Sequence, residues 1–183
     1  MVERSVDIGE VVGSIPTRRT MIDSKKFLTI AIKEAENSMK LGSGPIGAVI
    51  VDKKGKILAK GFNRTKIEND PTAHAEVVCM RKASKFILER FHSEETYLFT
   101  TLEPCFACGF FLVRTNIRNV VWALNDPYYG GMSHLKKSKK LSNDFKKIKC
   151  IEEPFADLRE QSRALMHLYY KNKKDFKTAK LFT

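Results

Sequence analysis

Two short segments of this 183-residue chain carry residues that bind metal ions and move protons. The first, "PTAHAE", contains His74 and Glu76, and the second, "EPCFAC", contains Cys105 and Cys108. Cys105 follows His74 by 31 residues. One imidazole nitrogen and two thiolates are a ligand set that suits zinc. The two segments together therefore predict one zinc site, with His74, Cys105 and Cys108 as its ligands.

The number of candidate ligands indicates a catalytic site. A structural zinc ion usually has four protein ligands, whereas a catalytic one keeps a position open for water. No fourth Cys or His stands at ligand spacing near either segment, since Cys79 is in an apolar setting and Cys150 is far along the chain. Glu76 can then take a proton from the activated water and pass it to a leaving group. Attack of that water on an amidine-like ring carbon, with loss of ammonia, is hydrolytic deamination.

Each segment alone has other interpretations. A His-x-Glu pair occurs by chance in helices, and Cys-x-x-Cys is also found in redox proteins and in structural zinc sites. The combination of the two segments favours the catalytic interpretation. Two alternatives stay open: a redox protein, and a non-catalytic RNA-binding subunit that uses zinc only for folding.

The elements that must position these residues follow an α/β pattern. A helix is expected from Asp23 to about Gly42, and another from Pro71 and Thr72, which we expect to begin it. A third is expected to open at Cys105, just after a strand, and a last one to run from Phe155. Strands are expected at 46–51 and 56–61, which form a hairpin, and at 97–102, 119–124 and 147–152, with loops over 126–145. This order predicts a sheet between layers of helices.

The chain is expected to contain one folded domain. Residues 1–20 show no periodicity and are predicted to be a disordered leader, with Met21 as a candidate functional start. The domain is predicted over 21–175, and 176–183 is predicted to be a basic C-terminal tail. There is neither an apolar run of membrane-spanning length nor a signal peptide pattern. We therefore expect a cytoplasmic protein with no membrane partner.

The charge distribution suggests a nucleic-acid partner. The net charge is +12, and +8 of it lies between Leu135 and Thr183, where 14 Lys and Arg face 6 Asp and Glu. Such a surface can neutralise phosphates, although a solvated basic segment is the alternative. The candidate RNA contacts are Asp126, Lys136, Lys137, Lys171, Lys173 and Lys174. The tyrosine pairs 128–129 and 169–170 could stack on bases, or could simply pack.

Five segments, in order, resemble the cytidine and deoxycytidylate deaminase superfamily: "GPIGAVIVD", "GFNR", "NDPTAHAE", "TLEPCFAC" and "NVVWALND". The His-x-Glu and Pro-Cys-x-x-Cys pair is the known signature of zinc deaminases. The resemblance runs from about Asp23 to about residue 175. It implies a three-layer α/β/α sandwich with a mixed, roughly five-stranded sheet, one zinc ion per subunit, and a homodimer.

The resemblance also implies roles for individual residues. It assigns the zinc ligands and the proton shuttle Glu76 as above. It further implies that Asn63 contacts the target base. The backbone amide of Ala75 and the turn at Pro45 and Ile46 are expected to line the same pocket.

Two branches of the superfamily are similar to this chain. Bacterial tRNA adenosine deaminases, which convert the wobble adenosine of tRNA to inosine, share the spacing of "GFNRTKIENDPTAHAE". Free-base guanine and cytosine deaminases share "GSGPIGAVIV" and "NDPTAHAEVVCMRKAS". We favour the wobble adenosine, with a free guanine or cytosine base, or another nucleoside or nucleotide, as alternatives. Phe110 and Phe111 stand where the first branch has small residues, and we expect them near the pocket floor and the RNA-facing side.

Overall fold

The computed structural model describes residues 22–89, 96–138 and 142–183, so the predicted leader and Met21 lie outside the described residues. The strands are β1 (Gly47–Asp52), β2 (Ile57–Phe62), β3 (Thr96–Leu102), β4 (Asn119–Leu124) and β5 (Lys149–Glu152). The helices are α1 (Ser24–Lys40), α2 (Ala75–Lys82), α3 (Ser84–Glu89), α4 (Phe106–Arg114), α5 (Met132–Lys137), α6 (Ser142–Phe145), α7 (Ala156–Asn172), α8 (Phe176–Ala179) and a 3-10 helix (Lys180–Phe182).

The five strands form one mixed sheet in the order β2-β1-β3-β4-β5. The β1–β2 and β1–β3 pairs are antiparallel, and the β3–β4 and β4–β5 pairs are parallel. The predicted hairpin of β1 and β2 is confirmed. Its turn is closed by the Asp52 carboxylate, which accepts hydrogen bonds from the amides of Lys54 and Lys56, both at 2.9 Å.

Helices cover both faces of the sheet, which confirms the predicted α/β/α sandwich. Alternate residues of a strand point to opposite faces. Thus Val49 and Phe99 pack with α1 and α7, whereas Ile50 and Leu98 pack with α2, α4, α5 and α6. The first layer lies very close to the sheet at Gly47, where an added Cβ would stand 2.1 Å from the carbonyl oxygen of Ala31.

The predicted start of the second helix was wrong by one turn. α2 begins at Ala75, with His74 as its N-cap residue. Thr72 does not cap it, because its hydroxyl and its amide both donate to Asp70 Oδ1, at 2.7 and 2.8 Å. Residues 70–73 therefore form a turn that places His74 at the start of α2.

Two predictions for the C-terminal third also need correction. The segment 126–145 was predicted as loop, but it contains α5 and α6, because Leu135 and Phe145 are buried against the sheet. Residues 176–183 were predicted as a basic tail, but they form α8 and the 3-10 helix. Phe182 is 3% exposed and packs with Leu102 and Leu124, so its burial fastens the segment to the domain.

Candidate active site

The two sequence segments meet at the beginnings of two helices. His74 is the N-cap residue of α2, and Cys105 is the N-cap residue of α4. Cys108 lies in the first turn of α4, three residues on. The His74 side chain makes no N-cap hydrogen bond to α2, and the Cys105 thiol interacts with Cys108 of α4, so the three side chains lie together.

Three side chains converge at this point and could hold a metal ion. The ligand atoms of His74, Cys105 and Cys108 all lie within 4.8 Å of one another. His74 Nδ1 is 3.6 Å from Cys105 Sγ and 3.5 Å from Cys108 Sγ. With Zn–S of about 2.3 Å and Zn–N of about 2.0 Å, tetrahedral ligands stand roughly 3.5 Å apart. The described residues therefore fit a zinc ion, with no fourth protein ligand among them.

The protonation states of the three candidate ligands depend on one another. A hydrogen bond from Cys108 lowers the pKa of the Cys105 thiol to about 4, whereas that bond and burial raise the pKa of Cys108. A hydrogen bond to Cys105 raises the pKa of His74. One thiolate is thus present at neutral pH before any metal binds, and a bound cation deprotonates the second.

Glu76 faces the ligand cluster from the first turn of α2. Its side chain is buried, and its Oε2 accepts a hydrogen bond from Cys108 Sγ at 3.6 Å. Burial raises its pKa to about 7, because a carboxylate is costly away from water. A carboxyl group of this kind can take up or release a proton near neutral pH.

Asn63 is held beside the cluster with a defined orientation. Its Oδ1 accepts hydrogen bonds from Ser43 Oγ (2.9 Å), Thr65 Oγ1 (2.8 Å) and the amide of Thr65 (3.0 Å). Its Nδ2 has no acceptor among the hydrogen bonds between described residues. The amide of the next residue, Arg64, donates to Ala73 O at 2.8 Å, which places Asn63 close to His74.

The other expected pocket residues join the same network. The amide of Asn63 donates to Ile46 O at 2.8 Å, so the turn at Pro45 and Ile46 lies against it. Ala75 is the first residue of α2, where a backbone N–H has no partner within the helix. The structure thus brings Pro45, Ile46, Asn63 and Ala75 together next to the metal ligands.

The six candidate RNA contacts do not form one stripe. Lys136 and Lys137 belong to α5 on one face of the sheet, whereas Lys171 lies in the last turn of α7 on the other face, with Lys173 and Lys174 just beyond that helix. Asp126 lies between β4 and α5, and its Oδ1 accepts from the amides of two residues of its own loop at 2.9 and 3.0 Å. The charged candidates therefore flank the sheet on two sides.

The expected position of two phenylalanines near the pocket floor was wrong. Phe110 and Phe111 are on the outer side of α4, 45% and 46% exposed, instead of at a pocket floor. Together with Phe106, which is 51% exposed, they line an apolar surface groove that continues over His134 and Leu135.

Sequence reasoning missed residues that act through others. Glu103, the first residue of the segment "EPCFAC", was given no role. It is buried, its Oε1 accepts from the amide of Met132 at 3.1 Å, and its Oε2 lies 3.4 Å from the amide of Asp126. Its position two residues before Cys105 was the available signal. Buried Ser38 was also missed, and its Oγ lies 2.8 Å from Asn63 O.

Comparison with known proteins gives this geometry a family. A family model for the cytidine and deoxycytidylate deaminase zinc-binding region matches residues 21–124. The chain belongs to this family. Its members are zinc-dependent hydrolases that remove an amino group, and the three converging ligands and buried Glu76 lie within the matched region.

The names of individual relatives state two different substrates. A tRNA-specific adenosine deaminase of Aquifex aeolicus (strain VF5) is 37% identical over 106 residues, which are 58% of this chain and 69% of the relative. A guanine deaminase of Bacillus subtilis (strain 168) is 43% identical over 88 residues, or 48% of this chain and 55% of the relative. A solved structure from work on tRNA:A34 deaminases has a TM-score of 0.66 and 27% identity, and covers 77% of this chain and 99% of that one.

No helix in the part of the chain that the structure describes is long and apolar enough to span a bilayer.

Proposed function

We propose that this chain converts the wobble adenosine of tRNA to inosine by zinc-dependent hydrolysis, with release of ammonia. The observation that carries the proposal is the convergence of His74, Cys105 and Cys108 beside the buried carboxyl of Glu76. The adenosine is favoured as substrate because relatives named tRNA-specific adenosine deaminases match 58% and 86% of the chain.

The three ligands would hold one zinc ion per subunit through one nitrogen and two sulfurs. The chemistry that zinc supplies at such a site, when bound, is Lewis-acid activation of a water molecule at an open coordination position. The starts of α2 and α4 position the imidazole and both thiolates. The ligands are therefore in place before any substrate binds.

Glu76 would move the proton. Its pKa of about 7 allows it to accept a proton from the attacking water and to return it to the departing amino group. Because its carboxyl is buried beside the ligands, bulk water does not compete for that proton. Asn63 would orient the ring, since its Nδ2 is free to donate while its Oδ1 is occupied by three donors. The Ala75 amide and the Pro45–Ile46 turn would complete the pocket wall.

A free guanine or cytosine base is the second candidate. The observation in its favour is the 43% identity to Bacillus subtilis guanine deaminase, although the match spans only 55% of that relative. A non-catalytic zinc-containing RNA-binding subunit finds less support, because Glu76 is present and no fourth ligand lies near the cluster among the described residues.

A direct comparison of substrates tests the proposal. The zinc-loaded protein is incubated with an anticodon stem-loop carrying a wobble adenosine and, in parallel, with free guanine, cytosine and adenine. We expect inosine and ammonia from the stem-loop only. Formation of xanthine from guanine, with no inosine, would transfer the proposal to the second candidate.

The same assay tests the proton shuttle. We expect Glu76→Gln to keep one zinc ion per subunit and to lose about 10²- to 10⁴-fold in rate. Glu36→Gln, which changes an exposed glutamate of α1, is the matched control and should keep its activity. Unchanged turnover in Glu76→Gln would remove Glu76 from this role.

Lys171, Lys173 and Lys174, at the end of α7 and just beyond it, would contact phosphates of the tRNA. Replacing Lys171, Lys173 and Lys174 by Gln should weaken stem-loop binding and reduce the slope of log K against log salt by up to about 2. The same change at exposed Lys53, Lys54 and Lys85 should leave that slope unchanged. Asp126, Lys136 and Lys137 would lie nearer the target nucleotide or its flanks.

A homodimer would cover the apolar groove on α4. Three exposed phenylalanines on one helix are unusual for a free surface. We expect Phe110→Ser with Phe111→Ser to shift sedimentation towards the monomer, and Leu88→Ser, at a 75% exposed position on α3, to have no effect.

A tRNA substrate and four free cysteines fit a reducing cytoplasmic setting, which fractionation of cells expressing the chain would test.

A further inference from the structure

Two neighbouring tyrosines stand out on the surface beside the candidate active site. Tyr128 and Tyr129 are each 59% exposed, and their rings meet edge to face with centroids 4.4 Å apart. The other tyrosine pair behaves differently. Tyr169 and Tyr170 are half-buried, and Tyr170 stacks on buried Phe182 at 5.9 Å. Packing therefore accounts for the second pair but leaves the first without a role in the core.

The exposed pair lies next to a metal ligand. Gly130, which follows Tyr129, forms an isolated antiparallel bridge with Cys105, and the amide of Gly131 donates to Pro104 O at 3.1 Å. Paired residues in such a bridge have Cα atoms about 5 Å apart, and the next Cα is about 4 Å further. The Tyr129 backbone is thus within roughly 10 Å of the Cys105 backbone.

The loop that carries the pair is held in place. Asp126 Oδ1 accepts from the amides of Tyr128 and Tyr129, and the buried Glu103 carboxylate contacts the amides of Asp126 and Met132, at either end of the loop. Binding to groups that are already ordered costs less entropy than binding to groups that must be ordered. The rings are therefore presented in a prepared position, which a mobile loop would not provide.

We propose that Tyr128 and Tyr129 form a stacking platform for an unpaired nucleobase next to the target nucleotide. The inference rests on the proposed function, because only a nucleic-acid substrate has a neighbouring base. Single-stranded RNA is commonly bound by stacking of splayed bases on aromatic rings, and the rim of a site that extrudes one base is where its neighbours must be held. The platform would distinguish an RNA loop from a free base, which has nothing to place on it.

Fluorescence tests the stacking directly. A wobble-adenosine stem-loop carries 2-aminopurine at each flanking position in turn and is bound to zinc-loaded Glu76→Gln protein, which does not consume it. We expect quenching at one flanking position. Tyr128→Ala and Tyr129→Ala should reduce the quenching and weaken binding by about 5- to 150-fold in total. Tyr→Phe at the same positions should preserve both, because the ring remains. Leu88→Ala removes an exposed apolar side chain from α3 and should change nothing.

The outcomes separate the platform from the function on which it rests. If the active protein deaminates the stem-loop but both Ala variants bind it as tightly as before, the platform is wrong and the proposed function stands. If the stem-loop is not deaminated at all, both are wrong. Absence of quenching at either flanking position in the Glu76→Gln protein also overturns the platform, whether or not the Ala variants fold.

Discussion

The side-chain amide of Asn63 has its two ends in different surroundings. Its oxygen accepts from Ser43 and Thr65, so the amide cannot rotate without losing three hydrogen bonds. Under the proposed function, its nitrogen is therefore the group that would meet the substrate. A fixed donor discriminates better than a mobile one, because a substrate without the matching acceptor leaves a buried polar group unpaired.

Asn63→Asp isolates this donor. The carboxylate can still accept from Ser43 and Thr65, so we expect zinc content and melting temperature to stay near those of the original protein. The donor is lost, and kcat/KM for the substrate should fall by about 10²-fold. Asn37→Asp, at an exposed position of α1, is the matched control. A variant that keeps its kcat/KM would show that Asn63 does not contact the base.

The grouping of His74, Cys105 and Cys108 was predictable from sequence, but the supports of Asn63 and Cys105 were not. Ligand chemistry needs particular residue types, and these stand close together within each segment. Ser43 reaches Asn63 across 20 residues, and serine is common in turns for many reasons. The dual contact of Glu103 likewise depends on where the loop after β4 returns, which no local pattern shows.

At the scale of elements, the site is made by two helix starts and one returning loop. α2 follows the turn 70–73, and α4 follows β3 directly. The loop after β4 comes back across Cys105 because β3 and β4 are parallel neighbours, which brings their carboxyl ends to one edge of the sheet. The strand β1 was predictable from its continuous run of apolar, largely β-branched residues. The helix start at Ala75 was not, because Pro71 and Thr72 carry the pattern of a helix start and are used in a turn.

Gly130 lies against the Glu103 carboxylate, between the two ends of the loop that this carboxylate holds. A Cβ added to Gly130 would stand 2.2 Å from Glu103 Oε2. We expect Gly130→Ala to push the carboxylate away from its two amide partners, to destabilise the fold by about 1 to 3 kcal/mol, and to weaken zinc binding about 10-fold. Melting curves and zinc competition titrations would measure both effects.

Gly44→Ala provides the comparison. The nearest atom to an added Cβ there is Asn63 Nδ2, at an ordinary contact distance of 3.6 Å. Its melting temperature should be almost unchanged. Equal melting temperatures and zinc affinities for the two variants would show that the loop does not depend on the Gly130 contact.

At the scale of the whole molecule, the last residues of the chain belong to the core. Phe182 packs with Leu102, Leu124 and Met166 at the end of the sheet nearest the loop after β4. The sequence suggested a tail because Lys177 and Lys180 continue a lysine-rich stretch, and the segment is too short for its apolar residues to show a periodicity. Burial of Phe182 against the sheet makes the segment part of the folded domain. A truncation after Asp175 would therefore change stability as well as charge, so lysine substitutions are the sharper probe of RNA contact.

Two phenylalanines six residues apart test this burial. Phe182→Ala removes a side chain that is 3% exposed, and we expect a loss of about 3 kcal/mol in the free energy of unfolding. Phe176→Ala removes one that is 60% exposed and should cost less than about 0.5 kcal/mol. Urea denaturation measures both. Similar losses for the two variants would mean that the segment is not anchored through Phe182.

The two outer strands of the sheet influence how the molecule behaves in concentrated solution. β5 has only four residues and exposes Lys149 and Glu152, while β2 exposes Lys60, which pairs with Glu34 at 3.6 Å. Short, charged edges resist pairing with strands of other molecules, the usual first step of sheet-based aggregation. The two edges of the sheet are thus poor templates for pairing with strands of other molecules.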